Sequence, residues 1–184
     1  MAMNTKNMWN TAGTAGLALG GVSSIYLILT QLLSGSMEEV SLWQQILSFV
    51  LWTIKFCGCI WIMWFFMKKF ASENKDADNK DVFRMGMATA VLSAILYSAV
   101  NLANMLYISA DYYQTLYQTL MEQMSGVLDS NSMTMMEQMI ENMPQLTFFY
   151  TITYCFLFGT VLSAILSRNI PEKDPFAEYK QEEE

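Results

Sequence analysis

Long apolar runs recur four times along the chain and are separated by polar segments. They cover residues 11–33, 43–67, 85–110 and 145–167, and Lys55 is the only charge that interrupts one of them. A helix needs about 20 mainly apolar residues to cross the hydrocarbon core of a bilayer, and each run reaches that length. The pattern predicts an all-α integral membrane protein whose four spans form one helix bundle.

A different pattern occupies residues 111–143, where apolar residues recur at helical spacing between Gln, Glu and Asp. Residues 126–132 interrupt it, and Asn131 or Ser132 is expected to cap a second helix. Pro144 is expected to start the fourth span. The segment is predicted to be an amphipathic helical hairpin that either lies on the membrane surface or folds over the bundle.

Two other polar segments complete the chain. Residues 68–84 mix acidic and basic side chains, which predicts a solvated connector between the second and third spans. Residues 171–184 end in consecutive glutamates, and we expect a disordered tail there.

The composition supports lipid as the solvent for much of the surface. Of the 184 residues 53% are hydrophobic and only 15% are charged, whereas soluble domains carry roughly 25% charged residues. The three cysteines fall inside apolar runs, which excludes a disulfide scaffold. The net charge of −7 argues against a nucleic-acid partner, because binding nucleic acid needs a basic face.

Basic residues lie on one side of the four predicted spans. Nine of the ten are outside the spans, namely Lys6, Lys68, Lys69, Lys75, Lys80, Arg84, Arg168, Lys173 and Lys180. The other side carries only acidic residues, which are Glu38, Glu39, Asp111, Glu122, Asp129, Glu137 and Glu141. The positive-inside rule then predicts that both termini are cytoplasmic and that the hairpin is extracytoplasmic.

Lys55 lies near the middle of the second span, and an ionisable residue inside a membrane marks a functional site by default. Tyr97, Asn101 and Asn104 share one face of the third span at a depth that a snorkelling Lys55 side chain can reach. No carboxylate lies within a span, so an ion pair is not expected unless Asp111 turns inward. Because ion relays use several such groups, a packing role is the simpler interpretation and transport is the alternative.

Small residues spaced four apart let helix backbones approach closely. Ala12, Gly16 and Gly20 have this spacing in the first span, and Gly159 and Ser163 have it in the fourth. They either hold this bundle together or join two copies of the chain.

Methionine is the one candidate for metal chemistry. Met133, Met136 and Met139 could bring three sulfur atoms to one helix face, and thioethers select Cu(I). Methionine also fills apolar surfaces adaptably, so these three are weak candidates. The chain has no histidine and no visible nucleophile beside a base, so we predict no catalytic residue, no enzyme activity and no cofactor.

The order of these features resembles an uncharacterised family of Bacteroidota four-span membrane proteins, catalogued as domain of unknown function 4199. The landmarks are the glycine-rich first span, Phe83-Arg84-Met85-Gly86 after the inner connector, the long outer segment with Pro144, and residues 159–165 followed by Arg168. The resemblance implies a four-span protein of the bacterial inner (cytoplasmic) membrane. It implies no activity and no functional residues.

These features lead to three hypotheses for the function, of which the first is preferred. The first is a non-enzymatic accessory or structural membrane component that contacts lipid and either another membrane protein or a second copy of itself. The second is a small solute or ion transporter or channel subunit that uses Lys55. The third is a Cu(I)- or Ag(I)-binding protein that uses the outer methionines.

Overall fold

A computed structural model of the chain describes residues 5–34, 42–74 and 77–170, and these are almost entirely helical. The helices are α1 (Thr5–Ser34), α2 (Leu42–Glu73), α3 (Asn79–Ala103), α4 (Ala110–Met124), α5 (Ser130–Glu141) and α6 (Met143–Arg168), with a π-helical turn at Asn104–Ile108. The prediction of an all-α fold is confirmed. The tail predicted at residues 171–184 lies outside the described residues.

Four helices are long and apolar enough to cross a bilayer, as predicted. They are Asn7–Leu32 of α1, Gln45–Glu73 of α2, Asn79–Ile108 of α3 with the π-helical turn, and Met143–Arg168 of α6. Pro144 lies in the first turn of α6, where its missing N–H costs no helical hydrogen bond.

The helices extend further than predicted at one end of the bundle. Since α2 continues to Glu73 and α3 begins at Asn79, most of the connector predicted at residues 68–84 is helical. Asp78 caps α3 by accepting a hydrogen bond of 2.8 Å from the backbone N–H of Asp81. Polar residues without Gly or Pro can continue a helix beyond an apolar span at little cost.

The central helix is α3, which packs along α1 on one side and α6 on the other, while α2 packs mainly on α1. Asn7 near the start of α1 donates a hydrogen bond of 3.2 Å to Asn74 just after α2. The Ser163 hydroxyl, near the end of α6, donates one of 3.0 Å to the Phe83 carbonyl near the start of α3. The four spanning helices therefore alternate in direction.

One end of the bundle is termed the basic end, because cations that flank the apolar runs of the described helices gather there: Lys68, Lys69, Lys80, Arg84 and Arg168. The opposite end, which carries α4 and α5, is termed the hairpin end.

The small residues of α1 lie against α3 of the same chain. Ala12 is fully buried. A Cβ atom added to Gly16 would lie 2.8 Å from the Cβ of Leu92, and one added to Gly20 would lie 2.7 Å from Leu96. These distances are shorter than van der Waals contact, so glycine lets the two backbones meet.

The small residues of α6 meet α3 in the same way. A Cβ atom on Gly159 would lie 2.5 Å from the Cβ of Ala90, and Ser163 is fully buried beside Gly86. Of the two roles left open by the sequence, the structure thus places these residues in packing within one chain.

The best-packed part of the bundle lies towards the basic end, where Met63, Met67, Phe70, Val82 and Met85 are each at most 1% exposed. Three of these five are methionines, in keeping with the capacity of Met to fill irregular gaps.

Towards the hairpin end, α2 separates from the other helices. Between Leu42 and Ile62 no α2 side chain that the structure describes is buried. The hairpin-end halves of the other spanning helices do contain buried residues, including Ser24, Ser98 and Thr151. This uneven packing of α2 opens a space near the middle of the bundle.

The hairpin predicted at residues 111–143 forms as α4 and α5, and neither helix buries a side chain. The prediction that Asn131 or Ser132 caps the second helix is wrong, because Asp129 accepts the hydrogen bond from the Ser132 N–H at 3.1 Å. Hydrogen bonds from the hydroxyl and N–H of Ser132 lower the pKa of Asp129. An ionised carboxylate is favoured at a helix N-terminus by the macrodipole as well.

Candidate functional site

A cavity of about 160 Å³ lies where all four spanning helices surround Lys55. The helical repeat explains why these side chains meet: residues three, four or seven apart share one face. On α2, Lys55 and Cys59 point into the cavity together, and on α3 Ser93 and Tyr97 do the same. The lining residues with polar or thiol groups are Ser23, Trp52, Lys55, Cys59, Ser93, Tyr97, Tyr154 and Cys155.

The Lys55 ammonium group is held by aromatic rings from two helices. Its Nζ lies 4.7 Å from the centroid of the Tyr26 ring on α1 and 5.1 Å from that of Tyr97 on α3. A cation over a ring face is attracted by the ring quadrupole, by about 2 kcal/mol when the pair is desolvated. The prediction placed Tyr97 near Lys55, and the structure brings the two together.

Lys55 lies near the middle of α2. It is thirteen positions from Leu42 at the start of the helix and thirteen from Lys68 at the basic end. With a rise of 1.5 Å per residue, each distance is about 20 Å, so a bilayer around the bundle places this amine near the midplane.

No carboxylate accompanies this cation. The apolar portions of the four spanning helices, as far as the structure describes them, contain no Asp or Glu. Asp111, which the sequence left as a potential partner, is exposed and lines a different pocket at the hairpin end, beside Gln31. Lys55 therefore faces aromatic rings, hydroxyls and thiols rather than a counter-ion.

Asn104 has a different partner from the one predicted. It is 1% exposed and donates a hydrogen bond of 2.6 Å to Gln31 on α1. The π-helical turn begins at this residue, and the Ser109 N–H bonds to the Asn104 carbonyl at 2.9 Å. Asn101 is half-buried, and neither asparagine lines the Lys55 cavity. Hydrogen bonds between membrane helices contribute about 0.6 kcal/mol on average. The Asn104–Gln31 bond therefore adds only a small stabilisation to the contact between the hairpin ends of α1 and α3.

The three thiols occupy two environments. Cys59 and Cys155 line the cavity, and the Ser23 hydroxyl lies 3.9 Å from the Cys59 sulfur, whereas Cys57 is exposed on the other face of α2. Among the residues that the structure describes, no group of three or more His, Cys, Asp or Glu side chains is arranged to hold a metal ion.

The methionine hypothesis stays a prediction. Met133 and Met136 are half-buried on α5, and Met139 is exposed. Their presence on one short helix agrees with the predicted spacing and equally with an apolar face.

Sequence reasoning missed the contributions of α1 and α6 to this site, which are Ser23, Tyr26 and Cys155. It compared polar residues on the second and third spans only. A usable signal existed for Tyr26, since Trp9 is the only other aromatic residue in α1 and lies near the start of that helix.

The bundle is that of a small membrane protein with four helices able to span a bilayer and one charge midway along them. A family model described as "Protein of unknown function (DUF4199)" matches residues 14–168, from α1 to the end of α6, and the chain belongs to this family. The family resemblance inferred from the order of features is thereby confirmed. Neither the curated proteins nor the solved structures contain a match.

Proposed function

We propose that this protein is a non-enzymatic accessory component of the bacterial inner membrane, with both termini cytoplasmic and the α4–α5 hairpin outside. The charge distribution supports the orientation, because the described cations that flank the apolar runs share the basic end, while the charged residues of α4 and α5 are all acidic.

The observation that supports an accessory role is the loose attachment of α2. Its half towards the hairpin end buries none of its described side chains and carries the ring ladder Phe49, Trp52 and Phe56, whose successive centroids are 6.1 and 5.4 Å apart. Association of helices in a membrane is driven by close packing, and the described side chains in this half of α2 all stay at least partly exposed. A helix of another membrane protein is the partner we propose for it.

Site-specific photo-crosslinking tests this proposal. A photoreactive amino acid at Phe49 of α2, on the ring ladder itself, is expected to capture a discrete partner protein in living cells. The matched control is Phe149 of α6, since it is the same residue type, is similarly exposed at 66% against 67%, and also lies towards the hairpin end. Capture by both positions alike, or by neither, would contradict a partner on α2.

The cavity favours one alternative function, a transporter or channel subunit. It places a cation, four hydroxyls and two thiols in a space between the four spanning helices, and such polar residues inside membranes mark solute and ion pathways.

A flux measurement tests the alternative. If the protein conducts, proteoliposomes containing it are expected to dissipate a chloride or proton gradient several-fold faster than empty liposomes. Lys55→Met should abolish the difference because it removes the one cation among the described residues that line the cavity, whereas Lys68→Met should preserve it. Equal leakage from protein-containing and empty liposomes would exclude this function.

A further inference from the structure

The cavity around Lys55 reaches the surface of the bundle. Trp52, Tyr154 and Phe158 line it, yet they are 48%, 59% and 40% exposed. These residues belong to α2 and α6, which touch only lightly, and the rings of Phe56 and Phe158 lie 5.8 Å apart across the gap. In a bilayer this opening faces the hydrocarbon chains of the lipids, not water.

The size of the cavity restricts what it can hold. At about 160 Å³ it is smaller than the roughly 300–1,000 Å³ of pockets that enclose a whole drug-sized molecule. An apolar cavity of about 150 Å³ holds one benzene ring. A ligand therefore fits only by its head, and the rest of the molecule has to remain in the lipid beyond the gap between α2 and α6.

The positive charge in the cavity determines which head group of a ligand can bind there. Lys55 faces the rings of Tyr26 and Tyr97, and none of the described residues that line the cavity is a carboxylate. Ring quadrupoles attract the ammonium but do not neutralise it, and an unpaired charge inside a membrane is costly. An acidic head can supply the missing opposite charge and accept charge-assisted hydrogen bonds from Nζ, with the Ser23 and Tyr97 hydroxyls close by.

We propose that this cavity binds the acidic head of an amphiphile through Lys55, while the apolar chain of the ligand lies in the bilayer between α2 and α6. The ligand chemistry is one acidic head on a long apolar body, as in a free fatty acid or an anionic phospholipid. The inference concerns binding alone, so it depends neither on a partner protein nor on transport.

Native mass spectrometry of the full chain in phosphatidylcholine nanodiscs tests the proposal, with palmitic acid as the probe and hexadecanol as its uncharged match. We expect about one acid per chain and at least tenfold weaker retention of the alcohol. Lys55→Gln should weaken acid binding by about tenfold to a hundredfold, the range expected for a lost hydrogen bond to a charged group. Lys55→Arg should bind within about threefold of wild type because the charge is kept.

Lys68→Gln is the matched control for charge, because its Nζ lies 4.8 Å from the Trp64 ring on the same helix but outside the cavity. It should bind the acid like wild type. Cys155→Phe keeps the lysine and fills the cavity, so it should also lose the acid, and it provides the test if Lys55→Gln does not fold.

A competition with phosphatidylglycerol separates the two sources of the ligand. Displacement of palmitate by this lipid would support the proposal and assign the site to a phospholipid head, whereas retention of palmitate would support it and assign the site to a free acid. Equal retention of acid and alcohol would overturn the proposal, as would unchanged acid binding in both Lys55→Gln and Cys155→Phe.

Discussion

Gly159→Leu is expected to lower the free energy of unfolding by about 3 kcal/mol, because overpacking a close helix contact costs about that much at its upper end. The first added carbon alone would lie 2.5 Å from the Cβ of Ala90, which belongs to the central helix and has no flexible side chain to move aside. Leucine favours the helix over glycine by about 0.8 kcal/mol. The cost of the steric clash is several times larger than this gain. The helices α3 and α6 have to move apart.

Thermal unfolding in mild detergent measures this effect, followed by tryptophan fluorescence and by elution on size exclusion. At about 2–4 °C per kcal/mol for a chain of this size, the midpoint should fall by about 6–12 °C. Gly58→Leu is the matched control, since no atom of the described residues would lie within 4 Å of a Cβ at that position on α2, other than those of its own helix and chain neighbours. Equal midpoints for the two variants would show that Gly159 does not lie in a close α3–α6 contact.

The number of spans could be predicted because a helix in hydrocarbon has to be mainly apolar over about 20 residues. Four apolar runs reach that length, and they correspond to α1, α2, α3 and α6. The helix ends are less constrained. Beyond the apolar run, a stretch such as Lys68 to Glu73 can be helix or coil by its sequence alone. In the structure it is helical and buries Phe70 and Ala71 in the core at the basic end.

The small residues were predictable as packing positions but not as contacts within one chain. The spacing shows that another helix can pack closely at Gly16 and Gly159, but it does not show which helix that is. The partner is α3 in both cases, since it is the central helix of the bundle.

Lys55 could be recognised from the sequence because a charge in an apolar run is conspicuous. Its partners could not, because aromatic rings such as Tyr26 carry no charge and are ordinary constituents of a span. Asn104 seemed a suitable partner by depth alone. The π-helical turn that starts at this residue, together with Gln31 of α1, gives it another partner.

One packing difference underlies both proposals for this protein. The basic end is filled by Met63, Met67 and Met85, so α2 is fixed there, and from Ile62 to Leu42 it buries no described residue. That separation leaves an uncovered helix surface for a partner and a cavity at Lys55 for a ligand. Trp52 and Phe56 border both the surface and the cavity, and the experiments on each use different variants.

Reaction of engineered cysteines with a membrane-impermeant maleimide is the most direct test of the central claim, that four helices cross the membrane with the basic end inside. Ser125→Cys and Ser72→Cys form a matched pair in a background where the three native cysteines are replaced by alanine. Both serines are exposed, and each donates a hydrogen bond of 2.7 Å to the carbonyl three residues earlier. We expect Ser125→Cys to react at least tenfold faster in intact spheroplasts, and both to react alike once the membrane is permeabilised. Reaction of Ser72→Cys in intact spheroplasts, with Ser125→Cys protected, would invert the orientation, and equal reaction of both would contradict an odd number of membrane crossings between them.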